Sequence, residues 1–305
     1  MKSSVKIIFS LLAAIFLSLG CSKTPTDTTI SNEDQIRELL LTSQYTDTTT
    51  FVNDGTAIPF SVLSVKSDVK NEIFPDSIKF ARKIDQVVRA VSITLDPDSI
   101  TATAMITLDL YGIMYVDNDG DILRDPFLRY FNTADLHDRA TRYVRLRKIN
   151  DLWHVWGVTP LELYTLNGNP ALNIDSVVIT GCANNNGIVI IKPIDMTQIR
   201  LRNLLPIFNP GDSVTVSVWA SPSGQFWAFL HRWLLRLHDR QPMEKVDDQL
   251  FTYSWQVPVD AVLGVRHASV DVISQNCLFG DSSATYSARA WCLPYIVAPD
   301  TITLP

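Results

Sequence analysis

Three aspartates at alternate positions are the residues of this chain best suited to bind a metal ion. Asp117, Asp119 and Asp121 surround Gly120 in the segment DNDGD. Because calcium prefers several carboxylate oxygens on a turning loop, these side chains form a candidate calcium site. The spacing departs from the EF-hand, whose loop needs a glutamate at its twelfth position, where this chain has Leu128. The alternative is an ordinary hairpin loop, whose asparagine, aspartate and glycine residues tolerate positive φ. Apart from calcium, no cofactor is expected.

The basic segment from Phe226 to Arg240 could contact an anionic partner. It reads FWAFLHRWLLRLHDR and contains Arg232, Arg236 and Arg240. As a helix, it would align these arginines in one row, like a basic helix that lies on a membrane surface. As a strand, it would turn the arginines outward. The apolar residues of the segment fit the helical period of 3.6 residues and the strand period of two equally well. The strand signals around it favour a strand, whose outer face is either a solvated surface or a patch for an anionic partner.

The motifs of several common enzyme classes are missing from the chain. It contains no His-x-x-x-His pair, no Gly-x-Ser-x-Gly elbow, no P-loop and no Gly-x-Gly-x-x-Gly. These absences predict a protein that is not an enzyme. The formal net charge of −6 also argues against a nucleic-acid partner, which requires a basic face for its phosphates.

The N-terminal segment has the pattern of an export signal. Lysines precede an apolar run from Ile7 to Leu19, which is too short to span a bilayer. The sequence LSLGC, which ends at Cys21, resembles the lipobox of bacterial lipoproteins. The resemblance implies that residues 1–20 are a signal peptide and that Cys21 becomes the lipidated N-terminus. The alternative is an ordinary cleaved signal followed by an incidental cysteine. Residues 21–30 are polar and are expected to form a tether.

The segment after the tether predicts one helix followed by long strands. Ser31 can cap the helix, and alternating apolar residues from Ile100 to Tyr115 indicate a strand. A hairpin with the sequence KINDLWHVWGV follows. This order of elements resembles the NTF2-like and cystatin-like α+β proteins. The resemblance implies an N-terminal domain over residues 31–166, built from a curved antiparallel sheet with one or two helices.

A cluster of turn-forming residues, LNGNP, predicts a domain boundary at residues 166–170. Seven short strands with regular turn signals follow, which indicates a β-sandwich. The segments NPGDSVTV and FTYSW resemble strands of bacterial Ig-like domains. The fold class expected for the chain is therefore an α+β domain followed by an all-β Ig-like sandwich over residues 171–298.

Three cysteines remain beside the lipobox cysteine, at Cys182, Cys277 and Cys292. Export into an oxidising compartment predicts one disulfide and one free thiol, and spacing alone allows three pairings. The Ig-like resemblance implies that the first strand of the sandwich lies beside the last. It therefore favours a Cys182–Cys292 disulfide, with Cys277 free.

These observations predict a lipoprotein of the bacterial cell envelope, attached through Cys21 and acting as a non-catalytic binding or assembly module. Ser22 resembles the residue that sorts lipoproteins to the outer membrane, where the protein would face the periplasm or the cell surface. Its partner is expected to be a protein or a polysaccharide. One alternative is an enzyme or small-ligand binder with a pocket in the N-terminal domain. Another is calcium-stabilised surface adhesion through the Asp117 loop.

Overall fold

A computed structural model describes residues 30–47, 79–117, 132–181, 188–191, 197, 199–222, 225–234, 237–281 and 283–299. Two helices lie within these ranges, α1 (Asn32–Thr42) and the short α2 (Gln275–Phe279). Short 3-10 turns follow at Gln44–Thr46 and Arg202–Leu204. No helix in the described part of the chain is long and apolar enough to cross a membrane.

Three long antiparallel strands begin the β structure: β1 (Lys79–Leu95), β2 (Thr101–Asp117) and β3 (Asn132–Ile149). In β2 the alternate residues from Ala102 to Leu110 are buried, as their period of two predicts. A tight turn joins β1 to β2, because Asp98 Oδ1 accepts hydrogen bonds from the backbone N–H groups of Ile100 and Thr101, both at 3.0 Å.

The remaining strands are shorter and continue to the end of the described chain. A turn with positive φ at Asn150 and Asp151 joins β3 to the next strand, as the asparagine–aspartate pair predicts. The strands are β4 (Leu152–Val158), β5 (Leu161–Thr165), β6 (Asn173–Thr180), β7 (Ile188–Ile191), β8 (Arg200–Leu201), β9 (Ile207–Phe208), β10 (Ser213–Ser221), β11 (Phe226–Leu234), β12 (Leu237–Pro242), β13 (Glu244–Lys245), β14 (Leu250–Gln256), β15 (Gly264–Ser274) and β16 (Ala288–Val297).

The described strands form two sheets. Sheet 1 has eleven strands in the order β1-β2-β3-β5-β16-β15-β11-β12, with β4 beside β3, β8 beside β4 and β9 beside β16. Sheet 2 has five strands in the order β13-β14-β10-β6-β7. The two sheets pack face to face through apolar side chains, and the rings of Phe226 in sheet 1 and Phe251 in sheet 2 lie 5.5 Å apart.

The predicted fold class, an α+β domain followed by an Ig-like sandwich, is wrong. The chain is mostly β and sandwich-like, and no N-terminal α+β domain is evident. Strands from both sides of the turn at residues 166–170 share sheet 1, because β5 pairs with β3 on one edge and with β16 on the other. Alternation along a strand indicates which face is buried, and it does not indicate which strand lies alongside.

Sheet 1 curves so strongly that its first strand returns to its last strands. The ring of Phe80 in β1 lies 4.8 Å from that of Phe229 in β11. Arg240 in β12 donates a hydrogen bond to the carbonyl oxygen of Phe80. We call the face of sheet 1 that is enclosed by this curvature the inner face. Ile36 and Leu40 of α1 are fully buried in the same apolar core.

Candidate functional site

A network of ionisable side chains lies buried on the inner face of sheet 1. Arg82 in β1 forms an ion pair with Asp271 in β15, with 2.6 Å between Nη1 and Oδ2. Arg82 Nε also donates to the hydroxyl of Tyr286 at 2.8 Å, and that hydroxyl donates to Asp138 Oδ2 at 2.9 Å. Asp138, Asp271 and Tyr286 are each only 1% exposed. We call Arg82, Asp138, Asp271, Tyr286 and His231 the buried network.

Burial and charge push the pKa values of the two carboxyls in opposite directions. Burial raises the pKa of Asp138 to about 6, against the lowering effect of the Arg82 charge. Burial would also raise the pKa of Asp271, but the Arg82 charge and the hydrogen bond with His231 outweigh it and hold that pKa well below its usual range. Burial raises the pKa of Tyr286 well above its usual value. Tyr286 therefore stays neutral and acts as a hydrogen-bond donor.

Two further buried basic side chains, on β11 and β12, lie on the inner face close to the network. His231 Nε2 lies 3.3 Å from Asp271 Oδ2. Arg240 pairs with His231 across the β11–β12 hairpin, and its guanidinium lies 3.6 Å from the centre of the Phe80 ring. A buried charge requires a partner, because leaving one uncompensated costs several kcal/mol. The network therefore joins β1, β3, β11 and β15 across the inner face.

An open groove of about 500 Å³ lies at the end of sheet 1 that carries α2. Among the described residues, its lining consists of four amide side chains, three hydroxyl side chains, one aromatic ring and one glycine, with no charged side chain: Asn169, Gln225, Ser274, Gln275, Asn276, Phe279, Gly280, Thr285 and Ser287. We call this surface the amide groove. Gln225, Gln275, Asn276 and Thr285 are exposed to solvent.

Backbone hydrogen bonds fix the wall of the amide groove. Ser274 caps α2, since its Oγ accepts a hydrogen bond from the backbone N–H of Cys277 at 3.3 Å. Gln275 donates its backbone N–H to the carbonyl of Gln225 at 2.8 Å, which joins α2 to the start of β11. At Gly280 an added Cβ would lie 2.3 Å from the carbonyl oxygen of Asn276, so only glycine fits there.

The buried network supports the amide groove from behind. Tyr286 of the network lies between Thr285 and Ser287, which line the groove. Ser287 Oγ accepts a hydrogen bond from the backbone N–H of Asn169 at 2.9 Å, which ties the opposite wall to the same segment. Burial raises the pKa of Cys277 on α2 to about 11, so its thiol stays protonated. Disturbing the network should therefore loosen the groove.

A cysteine–histidine pair elsewhere on the inner face lacks the features of a nucleophile. Cys292 Sγ lies 3.9 Å from Nδ1 of His267, whose Nε2 lies 2.7 Å from the carbonyl oxygen of Gln44. This carbonyl requires a proton on Nε2, so the thiol donates to Nδ1. Burial lowers the pKa of His267 to about 4 and raises that of Cys292 to about 11. Both groups are neutral and buried, whereas a reactive thiol needs a thiolate in an electropositive, accessible site.

Most of the predicted site residues lie outside the described residues. Cys21, Cys182, Asp119, Asp121 and Arg236 fall in segments that the structure does not describe, as does the side chain of Asp117. Lipidation, the calcium site and the Cys182–Cys292 disulfide therefore remain predictions. Within the described ranges, no group of three or more histidine, cysteine, aspartate or glutamate side chains is placed to hold a metal ion. Cys277 and Cys292 have free thiols in this structure, so the Cys182–Cys292 disulfide is not formed in it and stays a prediction for the oxidised protein.

The other two predicted arginines lie on opposite faces of sheet 1. The segment from Phe226 forms strands β11 and β12, as the strand interpretation expected. Arg232 stacks over Trp255 of sheet 2, with 5.3 Å between the guanidinium carbon and the ring centre. Arg240 faces the inner side, and both arginines are buried. The two described arginines thus share no outward face.

The residues of the buried network carried a signal that sequence reasoning missed. Arg82 occupies the same strand phase as the apolar Phe80, and Asp271 lies between Val270 and Val272 in a strand that is apolar around it. A charge at a position that the alternation assigns to the core indicates a buried pair. The amide groove gave no such signal, because its amides come from segments far apart in the sequence.

No protein-family model matches this chain, and no curated protein matches it at a significant level.

Proposed function

We propose that this protein is a lipid-anchored component of the bacterial cell envelope that binds a neutral, polar partner without catalysing a reaction. One observation carries the proposal. The amide groove offers about 500 Å³, and its described lining is rich in amides and hydroxyls and carries no charged side chain.

The burial of the network supports binding over catalysis. General acid–base catalysis requires a titratable group within hydrogen-bond reach of the substrate. Asp138 has a pKa near the useful range, but its side chain contacts Tyr286 rather than solvent. The raised pKa of Asp138 results from its burial in an ion network. Structural ion networks shift pKa values as readily as active sites do. The enzyme alternative would require Asp138 to reach a substrate.

The lining of the amide groove supports a partner rich in hydroxyl or peptide groups. An amide side chain both donates and accepts hydrogen bonds, so it complements groups that do the same. Each such bond contributes about 0.5–1.5 kcal/mol net, and several bonds together can select a neutral partner. A protein or a polysaccharide of the envelope meets this description. The lipobox-like segment that ends at Cys21 supports a position at the outer membrane, facing the periplasm or the cell surface.

The anchor is tested by fractionating cells that express the full chain. Cys21→Ser should release the protein from the membrane fraction and remove its labelling by a radioactive fatty acid. Ser22→Ala, which leaves the cysteine in place, should stay with the membrane. Equal membrane association and labelling of the Cys21→Ser variant would contradict the lipid anchor.

The groove is tested by photo-crosslinking in intact cells. A photo-reactive amino acid placed at Asn276 should give an adduct that is absent when the same group is placed at Val259, which is 81% exposed and lies outside the groove. A discrete band would identify a protein partner, and a smear removed by glycosidases would identify a polysaccharide. Equal adducts at both positions, or none at either, would contradict the proposed function.

A further inference from the structure

A second depression, of about 390 Å³, lies on the face of sheet 2 that points away from sheet 1. Its lining combines one large aromatic ring with a carboxylate, an amide, a hydroxyl and a small apolar side chain: Asp175, Ser176, Val178, Trp219 and Gln249. We call this surface the Trp219 site. It shares no residue with the amide groove, so the two sites can be tested independently.

A bulge in β6 explains why a carboxylate stands beside the indole ring. In the β10–β6 ladder Trp219 pairs with Ser176, whereas the next residue, Ala220, pairs with Ile174. Asp175 is therefore the extra residue of a β-bulge. A bulge re-aims a side chain that regular alternation would send to the other face. It places Asp175 next to Ser176 in the lining of the depression.

Local hydrogen bonds hold the Asp175 carboxylate in place. Its Oδ1 accepts from the side-chain amide of Asn173 at 2.7 Å and from the hydroxyl of Ser221 at 3.2 Å. No described residue donates a hydrogen bond to its other oxygen, Oδ2. Asp175 is only partly buried, so this second oxygen remains available to a ligand.

The sheet also positions the indole of Trp219 and the backbone of Gln249. Along β10, Val214, Val216 and Val218 are buried towards sheet 1, which leaves Trp219 on the outer face with 36% of its surface exposed. The backbone carbonyl oxygen of Gln249 accepts a hydrogen bond from the backbone N–H of Ala220 at 2.9 Å. This bond sets the exposed Gln249 beside the end of β10.

An aromatic face flanked by a carboxylate and an amide matches the chemistry of a sugar ring. A pyranose presents an apolar C–H face, which can stack on indole, and hydroxyl groups at its edge, which can donate to a carboxylate and bond an amide in both directions. The volume lies in the lower part of the range of about 300–1,000 Å³ that is typical of small-ligand sites. A quaternary ammonium ligand prefers several aromatic rings around the cation, and the described lining supplies one.

We propose that the Trp219 site binds a neutral sugar ring of a glycan. The sugar stacks on the indole of Trp219, and adjacent hydroxyls bind Oδ2 of Asp175 and the side-chain amide of Gln249. The proposal does not depend on the amide groove. It gives the protein a glycan-binding surface on sheet 2 in addition to the partner proposed above.

The test is a titration of the full chain, purified in a detergent without sugar groups, with maltotetraose, cellotetraose and chitotetraose. Calorimetry and tryptophan fluorescence should detect binding of at least one of these sugars. Moderate salt should leave its affinity unchanged. Trp219→Ala should weaken it at least about tenfold and Gln249→Ala by about 2- to 12-fold, as expected for one hydrogen bond. Trp219→Tyr, which retains an aromatic ring, should keep most of the affinity.

The matched control is Tyr111→Ala on β2, which removes an aromatic ring that is also 36% exposed but lies on sheet 1. Its affinity for the same sugar should equal that of the unmodified protein. Absence of binding by all three sugars, or full binding by Trp219→Ala, would overturn the proposal. Binding of choline alone, weakened by salt, would also overturn it, because such a site would recognise a cation.

Discussion

Replacing Arg82 by methionine should destabilise the protein strongly. The ion pair between Arg82 and Asp271 spans 2.6 Å, and both side chains are at least nine-tenths buried. Removing one member of such a pair leaves an uncompensated carboxylate in the core, which costs about 3–5 kcal/mol. For a domain of this size about 2–4 °C of melting temperature corresponds to 1 kcal/mol, so the midpoint should fall by about 6–20 °C.

The assay is thermal and denaturant unfolding of Arg82→Met, followed by circular dichroism at several pH values. The Arg82 charge helps to hold the pKa of Asp271 below its unfolded value. That contribution to stability is present above the unfolded pKa and is lost as the pH falls through the folded pKa. The deficit of Arg82→Met should therefore be greatest at neutral pH and should shrink in acid, as Asp271 of the variant becomes protonated.

A matched substitution on the same strand controls for the loss of a basic residue. Lys83 pairs with Asp85 at 3.1 Å, but both side chains are largely exposed to solvent, so Lys83→Met should change the melting temperature little. The double variant Arg82→Met/Asp271→Asn should be more stable than Arg82→Met alone, because it leaves no uncompensated charge. A cost for Arg82→Met as small as that of Lys83→Met would refute the reasoning about the buried network.

Three further predictions concern the histidine, the thiols and the groove. His267, whose pKa is about 4, stays neutral in the folded protein, whereas in the unfolded chain it takes up a proton below about pH 6.5. The free energy of unfolding should therefore fall by up to about 3 kcal/mol between pH 6.5 and pH 4. Denaturant unfolding across this range measures the fall, and a His267→Gln variant with the same pH dependence would contradict the prediction. In the reduced protein, Cys277 and Cys292 should resist alkylation at pH 7 until the chain unfolds, as followed by peptide mass spectrometry. Rapid labelling of either thiol in the folded protein would be the contrary result. Gly280→Ala should lower the melting temperature and weaken the crosslink from Asn276, because the new Cβ would meet a carbonyl oxygen at 2.3 Å, and unchanged values of both would show that α2 adapts freely.

The sequence was sufficient to predict strands but not their partners. The alternation from Ile100 to Tyr115 and the Asn150–Asp151 turn correspond to β2 and to the β3–β4 hairpin. The pairing of Leu161 with Cys292 could not be predicted, since a period of two encodes only which face is buried. This long-range pairing joins strands from both halves of the chain in sheet 1, and it explains why no separate N-terminal α+β domain is evident in the described residues.

The candidate site was harder to predict because its residues are far apart in sequence. Arg82 and Asp271 are separated by most of the chain, and only the curvature of sheet 1 brings them together. The one signal of the buried pair in the sequence was a charged residue at a strand position that alternation assigns to the buried face. For the Trp219 site the decisive feature is the bulge at Asp175, which depends on the register between β6 and β10 and leaves no trace in the local sequence.

The most direct test of the central claim is the yield of the crosslink from Asn276 in intact cells, compared with the yield after Gln225 and Gln275 are both replaced by alanine. If the amide groove binds a neutral partner, the two substitutions should reduce the adduct several-fold while the melting temperature changes little, since both side chains are exposed. An adduct of unchanged yield in the double variant would contradict the claim that the amide groove is the binding surface.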